Sequence, residues 1–421
     1  MTQSWIEVAP ASDFPIENLP FGAFSEGGGA PRPGVAIGTQ IVDLRALAAS
    51  GMLDGACDRE LLDGGTLNAL FEADRWRAVR SRVADLLREG GDPALRDAAH
   101  DRILVAQSDA AMHVPVAIGD YVDFYSSLEH ATNLGRLFRP DGDPLLPNWR
   151  WIPIGYHGRS STVVIDGTPV VRPNGQRKAP ADAQPSFGPS RSLDIELELG
   201  FITSRGNALG EPIPVAHARK HVAGFVLVND WSARDIQAWE YQPLGPFLGK
   251  SFATTVSPWI VTLDALEPFR VAGPPQEPPP LAYLAGSGDA AYDIRLEVSI
   301  LTEKMRASGE PAHVISRTNF AGMYWNFAQQ LAHATANGAI ARAGDLFASG
   351  TISGPEPGSE GSFIEMTWRG ERPLQLPNGE TRAFLQDGDE IAIHGWCERP
   401  GARRIGFGVA RGRIAAARNY A

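Results

Sequence analysis

The stretch RSLDIELELGF, Arg191 to Phe201, alternates Asp194, Glu196 and Glu198 with Leu193, Ile195, Leu197 and Leu199. Strict alternation predicts a half-buried β-strand, because successive side chains leave a strand on opposite faces. The three carboxylates then share one face. Side chains at i and i+2 stand about 6.6 Å apart along a strand, so neighbouring anions repel unless water screens them or a cation binds between them. An ordinary solvent-facing strand satisfies the same pattern, and the rest of the chain has to decide between the two.

Other segments supply more carboxylates. The apolar run Val222 to Val228 ends in NDWSARD, which places Asp230 where a buried strand meets a loop, and upstream DYVDFYSSLEHA offers Asp120, Asp123, Glu129 and His130. A hard cation such as Mg²⁺ or Ca²⁺ takes carboxylate oxygens from separate strands and loops, so the acidic strand reads as part of a metal site. His130 adds a group able to take a proton from water near neutral pH, although a lone histidine without context more often has a structural or surface role. Lys250, in the Gly- and Pro-rich GPFLGKSF, follows Arg234, Gln237 and Tyr241. These four side chains are able to grip a carboxylate or an enolate.

Two motifs lead away from chemistry. His217 and His221 in HARKH have the i, i+4 spacing of a helical zinc pair, but no third ligand is near and a strand is predicted from His221. GFGVARG has the wrong glycine spacing for a dinucleotide fingerprint and no βαβ pattern follows it.

At 421 residues with 43% hydrophobic and 21% charged side chains, the chain has the make-up of a soluble globular protein of two or three domains. A net charge of -11 repels nucleic acid and anionic lipid, so a small-molecule substrate is the expectation. MTQSWIEVAP lacks a basic segment followed by an apolar run, and no window approaches about 18 uninterrupted apolar residues. A cytoplasmic chain with no membrane span is expected. Cys57 and Cys397 are too few for a disulfide framework or a zinc cluster, and are read as reduced and structural.

GVAIGTQIVDL, Gly34 to Leu44, predicts a hairpin turning at Gly38-Thr39. Thr66 to Glu89 predicts one amphipathic helix burying Trp76, Val79, Val83, Leu86 and Leu87, with Arg75, Arg77, Arg80, Arg82 and Arg88 on a solvated face. Beyond Met112-Pro115 the composition changes, and a boundary near residue 118 divides the chain into 1–118 and 119–421. The second part is read as mainly β (α+β), with strands at Ser161 to Ile165, Leu193 to Phe201, His221 to Asn229, Ala291 to Thr302 and Glu390 to His394. One helix with Phe320, Met323, Tyr324, Phe327, Leu331 and Ala334 on a core-facing stripe interrupts them, and the Pro- and Gly-rich Val171 to Ser190 is expected to be a structureless connection.

DYVDFYSSLEHATNLG, LLPNWRWIPIGYHGRSS, LDIELELGF, NDWSARDIQAWEYQPLGPFLGKSF and FASGTISG, in this order, closely resemble the fumarylacetoacetate hydrolase family, and DFPIENLPFGAFS and GVAIGTQIVDL extend the likeness to the N-terminus. The resemblance implies a small SH3-like N-terminal barrel, a large β-roll carrying the active site, and a homodimer. The implied activity is hydrolysis of the carbon–carbon bond of 4-fumarylacetoacetate to fumarate and acetoacetate, the last step of tyrosine and phenylalanine catabolism. Matched motif by motif, Asp123, Glu196, Glu198 and Asp230 are the implied ligands of Mg²⁺ or Ca²⁺, and Lys250 and Thr254 mark a second cation position, the lysine through its backbone oxygen. Ala253 stands where the family pattern has glycine. Asp194 is not carried over as a ligand and is expected at the rim or paired with a cation. The implied base is His130 oriented by Glu365, with Arg234, Gln237 and Lys250 stabilising negative charge and Tyr125, Arg139, Tyr156, Gln237, Tyr241 and Thr351 positioning substrate. Three alternatives remain: an acylpyruvate hydrolase or decarboxylase of the same superfamily, a glycosidase using paired carboxylates, and a non-catalytic calcium-binding protein.

Overall fold

The computed structural model describes residues 3–97, 102–286 and 288–420. In the N-terminal region β1 (Phe21–Glu26), β2 (Arg32–Ile37), β3 (Gln40–Asp43), β4 (Leu104–Ala106) and β5 (Ala110–His113) form an antiparallel sheet in the order β4-β3-β2-β1-β5. The β2–β3 turn is the two-residue Gly38-Thr39 loop, with Ile37 opposite Gln40 and Gly38 at φ 54°, a left-handed conformation open to glycine at no steric cost.

The helix expected over Thr66 to Glu89 is two helices, Asn68–Glu72 and Trp76–Leu87. Asp74 between them has φ 53°, which ends the run of i→i−4 hydrogen bonds. The five apolar positions expected to face the core are all buried. Arg77, Arg82 and Arg88 pair with Asp74, Asp92 and Asp85 at the surface, whereas Arg80 departs from the solvated face: it turns inward and donates to the carbonyls of Glu17 and Asn18.

The larger region is built on two sheets. The first contains β6 (Tyr121–Phe124), β7 (Gly155–His157), β8 (Val163–Ile165), β13 (Leu197–Thr203), β14 (Val222–Asp230), β16 (Thr254–Val256), β17 (Val261–Thr262) and β22 (Leu346–Ala348), in the order β7-β6-β22-β13-β14-β16-β8 with β17 on β14. The second runs β21 (His313–Asn319), β20 (Arg295–Leu301), β25 (Glu390–Cys397), β26 (Ile405–Ala415), β9 (Val170–Val171). The fold is therefore mostly sheet with short helices. The N-terminal core continues into Ile202, Val226, Val228 and Leu346 of the first sheet, while Phe201, Phe225 and Leu227 face the other core. Both faces of β13 and β14 are covered, which is why Val222 to Val228 reads as an uninterrupted apolar run.

This double coverage overturns the half-buried reading of the opening stretch. Every residue from Leu193 to Thr203 is buried, and the alternation hides a break: β12 (Leu193–Asp194) pairs with β15 (Ser232–Ala233), whereas β13 pairs with β14. The chain changes partners at Ile195–Glu196, where the Glu196 amide donates to the Asn229 side chain of β14 instead of to a backbone carbonyl.

Other expectations shift in smaller ways. Ser161 to Ile165 opens as a 3₁₀ turn, and Ala291 to Thr302 divides into β19 (Ala291–Tyr292), which pairs with β18 (Arg270–Val271), and β20. Val171 to Ser190 is not structureless, because β10 (Asn174–Arg177) and β11 (Ser186–Pro189) pair within it as a hairpin. A second small hairpin joins β23 (Leu374–Gln375) to β24 (Thr381–Arg382). The helix near Phe320 covers only Phe327–Thr335, preceded by a 3₁₀ turn at Phe320–Gly322. Phe320, Met323, Tyr324, Phe327 and Leu331 are nonetheless buried in the core.

Candidate active site

Four carboxylates converge because three strands of the first sheet, β6, β13 and β14, bring them to the same place. Asp123 is on β6, beside Ala348 of β22, Glu198 is on β13, Asp230 ends β14, and Glu196 occupies the break before β13. Ligand oxygens of Asp123, Glu196, Glu198 and Asp230 all lie within 4.8 Å of one another, and all four residues are buried. Gly350 holds the far side, its amide donating to Glu198 Oε2 at 3.0 Å. It has φ 79°, and a Cβ there would meet the Phe124 carbonyl oxygen at 2.3 Å, so the close approach needs glycine.

The charges are incompletely matched. The Lys250 ammonium donates to Glu196 and, at 2.6 Å, to Asp230 Oδ2. The Arg234 guanidinium reaches Glu196 at 2.8 Å, and the Thr254 hydroxyl donates to Asp230 Oδ1 at 2.8 Å. Burial alone would raise Glu196, but Lys250 and Arg234 beside it outweigh that and hold it at about 2. Asp123 and Glu198 behave oppositely: burial first, and then the neighbouring carboxylates, push both well above the usual range. Asp123 Oδ1 and Glu198 Oε1 are buried with no hydrogen-bond partner among the described residues. Orphaned buried carboxylate oxygens in an all-oxygen cluster are the donor set that suits a hard divalent ion, and the four residues fit such an ion.

The water-activating candidates sit alongside. Ser127 caps the helix Leu128–Phe138 and its hydroxyl accepts from the His130 amide, which places His130 in the first turn, facing inward. Its Nδ1 lies 2.6 Å from Glu365 Oε2, and since an ionised carboxylate only accepts, the proton of this bond belongs to Nδ1. Glu365 is held in turn by the hydroxyls of Ser353 and Ser362 and by the Asn133 amide. Burial would raise Glu365, yet His130 and these donors together bring it below its ordinary value. One short segment joins the dyad to the cluster: the Gly350 amide donates to Glu198, and three residues on the Ser353 hydroxyl donates to Glu365.

The other residues expected at the site distribute unevenly. Tyr156 donates to Asp230 Oδ2 at 3.0 Å and lines a cavity of about 240 Å³ with Tyr121, Arg159, Phe247, Asp230 and Lys250. Tyr125 stands edge-on to His130, with ring centres 5.4 Å apart. Gln237 accepts from Arg234 at 3.2 Å, leaving its amide NH₂ available, and the buried Thr351 hydroxyl has no partner among the described residues. Arg139 and Tyr241 are exposed and do not join the cluster, Arg139 donating to the Pro144 carbonyl and Tyr241 contacting Gln242. Lys250 meets the carboxylates with its ammonium. Ala253 is not among the described residues with positive φ, so alanine serves in place of glycine. His221 of HARKH ends a 3₁₀ stretch and lies 3.1 Å from the Arg205 carbonyl oxygen, away from any metal arrangement.

Sequence reasoning misses Asn133, Ser353, Ser362 and Asn229, which hold Glu365 and Glu196. Ser353 is within its reach, lying two residues after Thr351 in the quoted FASGTISG. Asp194, expected at the rim or beside a cation, is fully buried and bonded to Arg234 at 2.8 Å.

Residues 17–115 match the family described as fumarylacetoacetase N-terminal, and residues 121–415 match the fumarylacetoacetate (FAA) hydrolase C-terminal family. Fumarylacetoacetases of Caenorhabditis elegans and Homo sapiens are 50% and 49% identical to the chain, each covering 98% of it and 99% and 98% of their own lengths. Two solved structures share the fold at low identity. A maleylpyruvate hydrolase from a Sphingobium species has a TM-score of 0.52 at 15% identity over 95% of this chain and 100% of its own. A fumarylacetoacetate hydrolase from Exiguobacterium antarcticum has a TM-score of 0.51 at 16% identity over 94% and 99%. Matched in both halves and sharing about half its residues with full-length relatives, the chain belongs to the fumarylacetoacetate hydrolase family.

Proposed function

We propose that the dyad and the carboxylate cluster together hydrolyse the carbon–carbon bond between the two ketones of 4-fumarylacetoacetate, releasing fumarate and acetoacetate. The observation that carries the reading is the buried His130–Glu365 pair beside four carboxylates, two of whose oxygens have no partner among the described residues.

Asp123, Glu196, Glu198 and Asp230 would hold a divalent ion, Mg²⁺ or Ca²⁺, which supplies Lewis acidity toward the diketone oxygens. Its choice rests on donor chemistry, since all-oxygen ligands suit both ions. His130, with Nδ1 committed to Glu365, takes a proton from water on Nε2, and the hydroxide adds to the ketone carbon. The carbon–carbon bond then breaks, its electron pair passing to the acetoacetate fragment, which receives the proton back from His130. Arg234, the free amide of Gln237 and the third proton of Lys250 meet the negative charge that develops. Tyr125, Tyr156 and Thr351 line the approach, and Arg139 and Tyr241 would meet a substrate carboxylate from the rim. Lys250, through its backbone oxygen, and Thr254 would mark a second cation position.

The same reading takes residues 1–118 as an SH3-like unit, supported by five antiparallel strands in sequence-local order, and residues 119–421 as a catalytic β-roll. A homodimer is supported by the exposed apolar side chains of Leu244, Phe247 and Leu248, which a second copy would cover. The proposed substrate would place the protein in tyrosine and phenylalanine catabolism, with the cytoplasm as its expected location. No helix among the described residues is long and apolar enough to cross a membrane. Product analysis tests the reading against the acylpyruvate alternative: the expected result is fumarate and acetoacetate in equal amounts from fumarylacetoacetate, and turnover of an acylpyruvate alone would contradict it.

A further inference from the structure

Asp194 is the one carboxylate of the opening stretch that takes no part in the cluster, and it is wholly buried. Its four acceptor contacts come from two directions. Oδ1 accepts from the Ile195 amide at 2.7 Å and the Phe363 amide at 2.6 Å, while Oδ2 accepts from Arg234 Nε at 2.8 Å and the Ile364 amide at 3.0 Å. Arg234 carries its other arm to Glu196 and Gln237. Ile364 is followed directly by Glu365, the partner of His130.

We infer that Asp194 is a positioning residue that fixes the Glu365–His130 pair and the Arg234 guanidinium relative to one another. The inference rests on the hydrolase reading above. The break between β12 and β13 supports it, because a continuous strand would turn Asp194 toward the same side as Glu196 and Glu198. Stepping to β15 at this point frees Asp194 to face the 363–365 segment and Arg234 instead. A carboxylate suits the position because it offers acceptor sites only, and all four incoming groups are donors.

The test is Asp194→Asn, which keeps the size but presents an NH₂ to Arg234 Nε and Ile364 N–H, donor against donor. The expected result is a loss in kcat of about 30-fold to 100-fold with KM nearly unchanged, and an acid limb of the kcat/KM profile moved to lower pH as His130 loses the alignment of Glu365. Combined with Glu365→Gln, the loss should fall well short of the product of the single losses. A merely structural role lowers thermal stability but leaves the limb in place and the losses multiplicative, and that outcome overturns the inference. If Asp194→Asn does not fold, Arg234→Lys takes its place: it keeps the positive charge but removes Nε, and the same limb should move. An unmoved limb in that variant overturns the inference equally. Wild-type protein unable to turn over fumarylacetoacetate would instead sink the hydrolase reading on which both depend.

Discussion

Two clusters of charge in this molecule solve the same problem differently. Around Asp389, Arg382 donates to both carboxylate oxygens at 2.8 and 2.9 Å, the Gln386 amide adds a third donor, and Glu380 takes hydrogen bonds from Thr302, Asn378 and Arg382. Each carboxylate oxygen there has a partner. Hydrogen bonds, that from Thr302 first, hold Glu380 at about 2. The cluster at Asp123, Glu196, Glu198 and Asp230 has two orphaned oxygens, and two of its acids are displaced upward. A closed network is complete as folded protein, whereas an open one leaves acceptor oxygens that could hold a metal ion. This difference, more than acidity or burial, separates a site from a structural staple.

The widest separation between the two clusters should appear in turnover. His130→Gln retains a donor to Glu365 but loses the base, so kcat is expected to fall about 10³-fold with the melting temperature little changed. Arg382→Met should do the reverse, lowering stability while kcat holds. Next in size, Asp389→Asn should cost about 3 kcal/mol in chemical denaturation, because it leaves Arg382 buried with one good partner fewer. Glu198→Gln in EDTA-treated protein should be neutral or stabilising by about 1 kcal/mol, since it removes an uncompensated buried charge. The same change should weaken Mg²⁺ binding measured by calorimetry. If both substitutions destabilise equally, the distinction between closed and open clusters fails.

The pH dependence differs in sign. Asp123 and Glu198 titrate in the fold well above the value of about 4 they hold when unfolded, so their contribution to stability is complete below that pH and is lost as pH rises through their folded values. Glu380 is depressed, so its contribution is present above about 4 and is lost as pH falls toward its folded value. The melting temperature of EDTA-treated protein should therefore fall as pH rises from about 5 to 8, and added Mg²⁺ should flatten that fall while releasing protons. A metal-free melting temperature that rises over this range would contradict the raised acids. Smallest of all, Arg295→Ala breaks a surface pair with Glu398 at 3.1 Å and should change stability by less than about 0.5 kcal/mol.

Residue types at separate strand ends are legible in the sequence because apolar runs announce where strands stop: Val222 to Val228 delivers Asp230, and the turn after Asp123 delivers His130. The partner change at Ile195–Glu196 is not legible, because alternation reads the same whether a strand continues or steps to a new neighbour. Alternation therefore puts Asp194 on the wrong side. Arg80 reads as solvated for a similar reason, since its inward carbonyl partners, Glu17 and Asn18, lie more than sixty residues away in sequence. Ser353, Ser362 and Asn133 hold Glu365 through contacts that only the folded chain brings together. The hairpin within Val171 to Ser190 escapes because its pairing rests on backbone hydrogen bonds between segments rich in turn residues, with no apolar periodicity to mark them.

The role of the cluster is tested most directly by the ultraviolet absorbance of fumarylacetoacetate with purified protein, first as isolated, then after EDTA, then with Mg²⁺ or Ca²⁺ restored. The absorbance is expected to fall, to stop falling with EDTA, and to fall again with metal. A steady absorbance under every metal condition would contradict the assignment of this substrate to the cluster, and a fall indifferent to EDTA would contradict the role given to the four carboxylates.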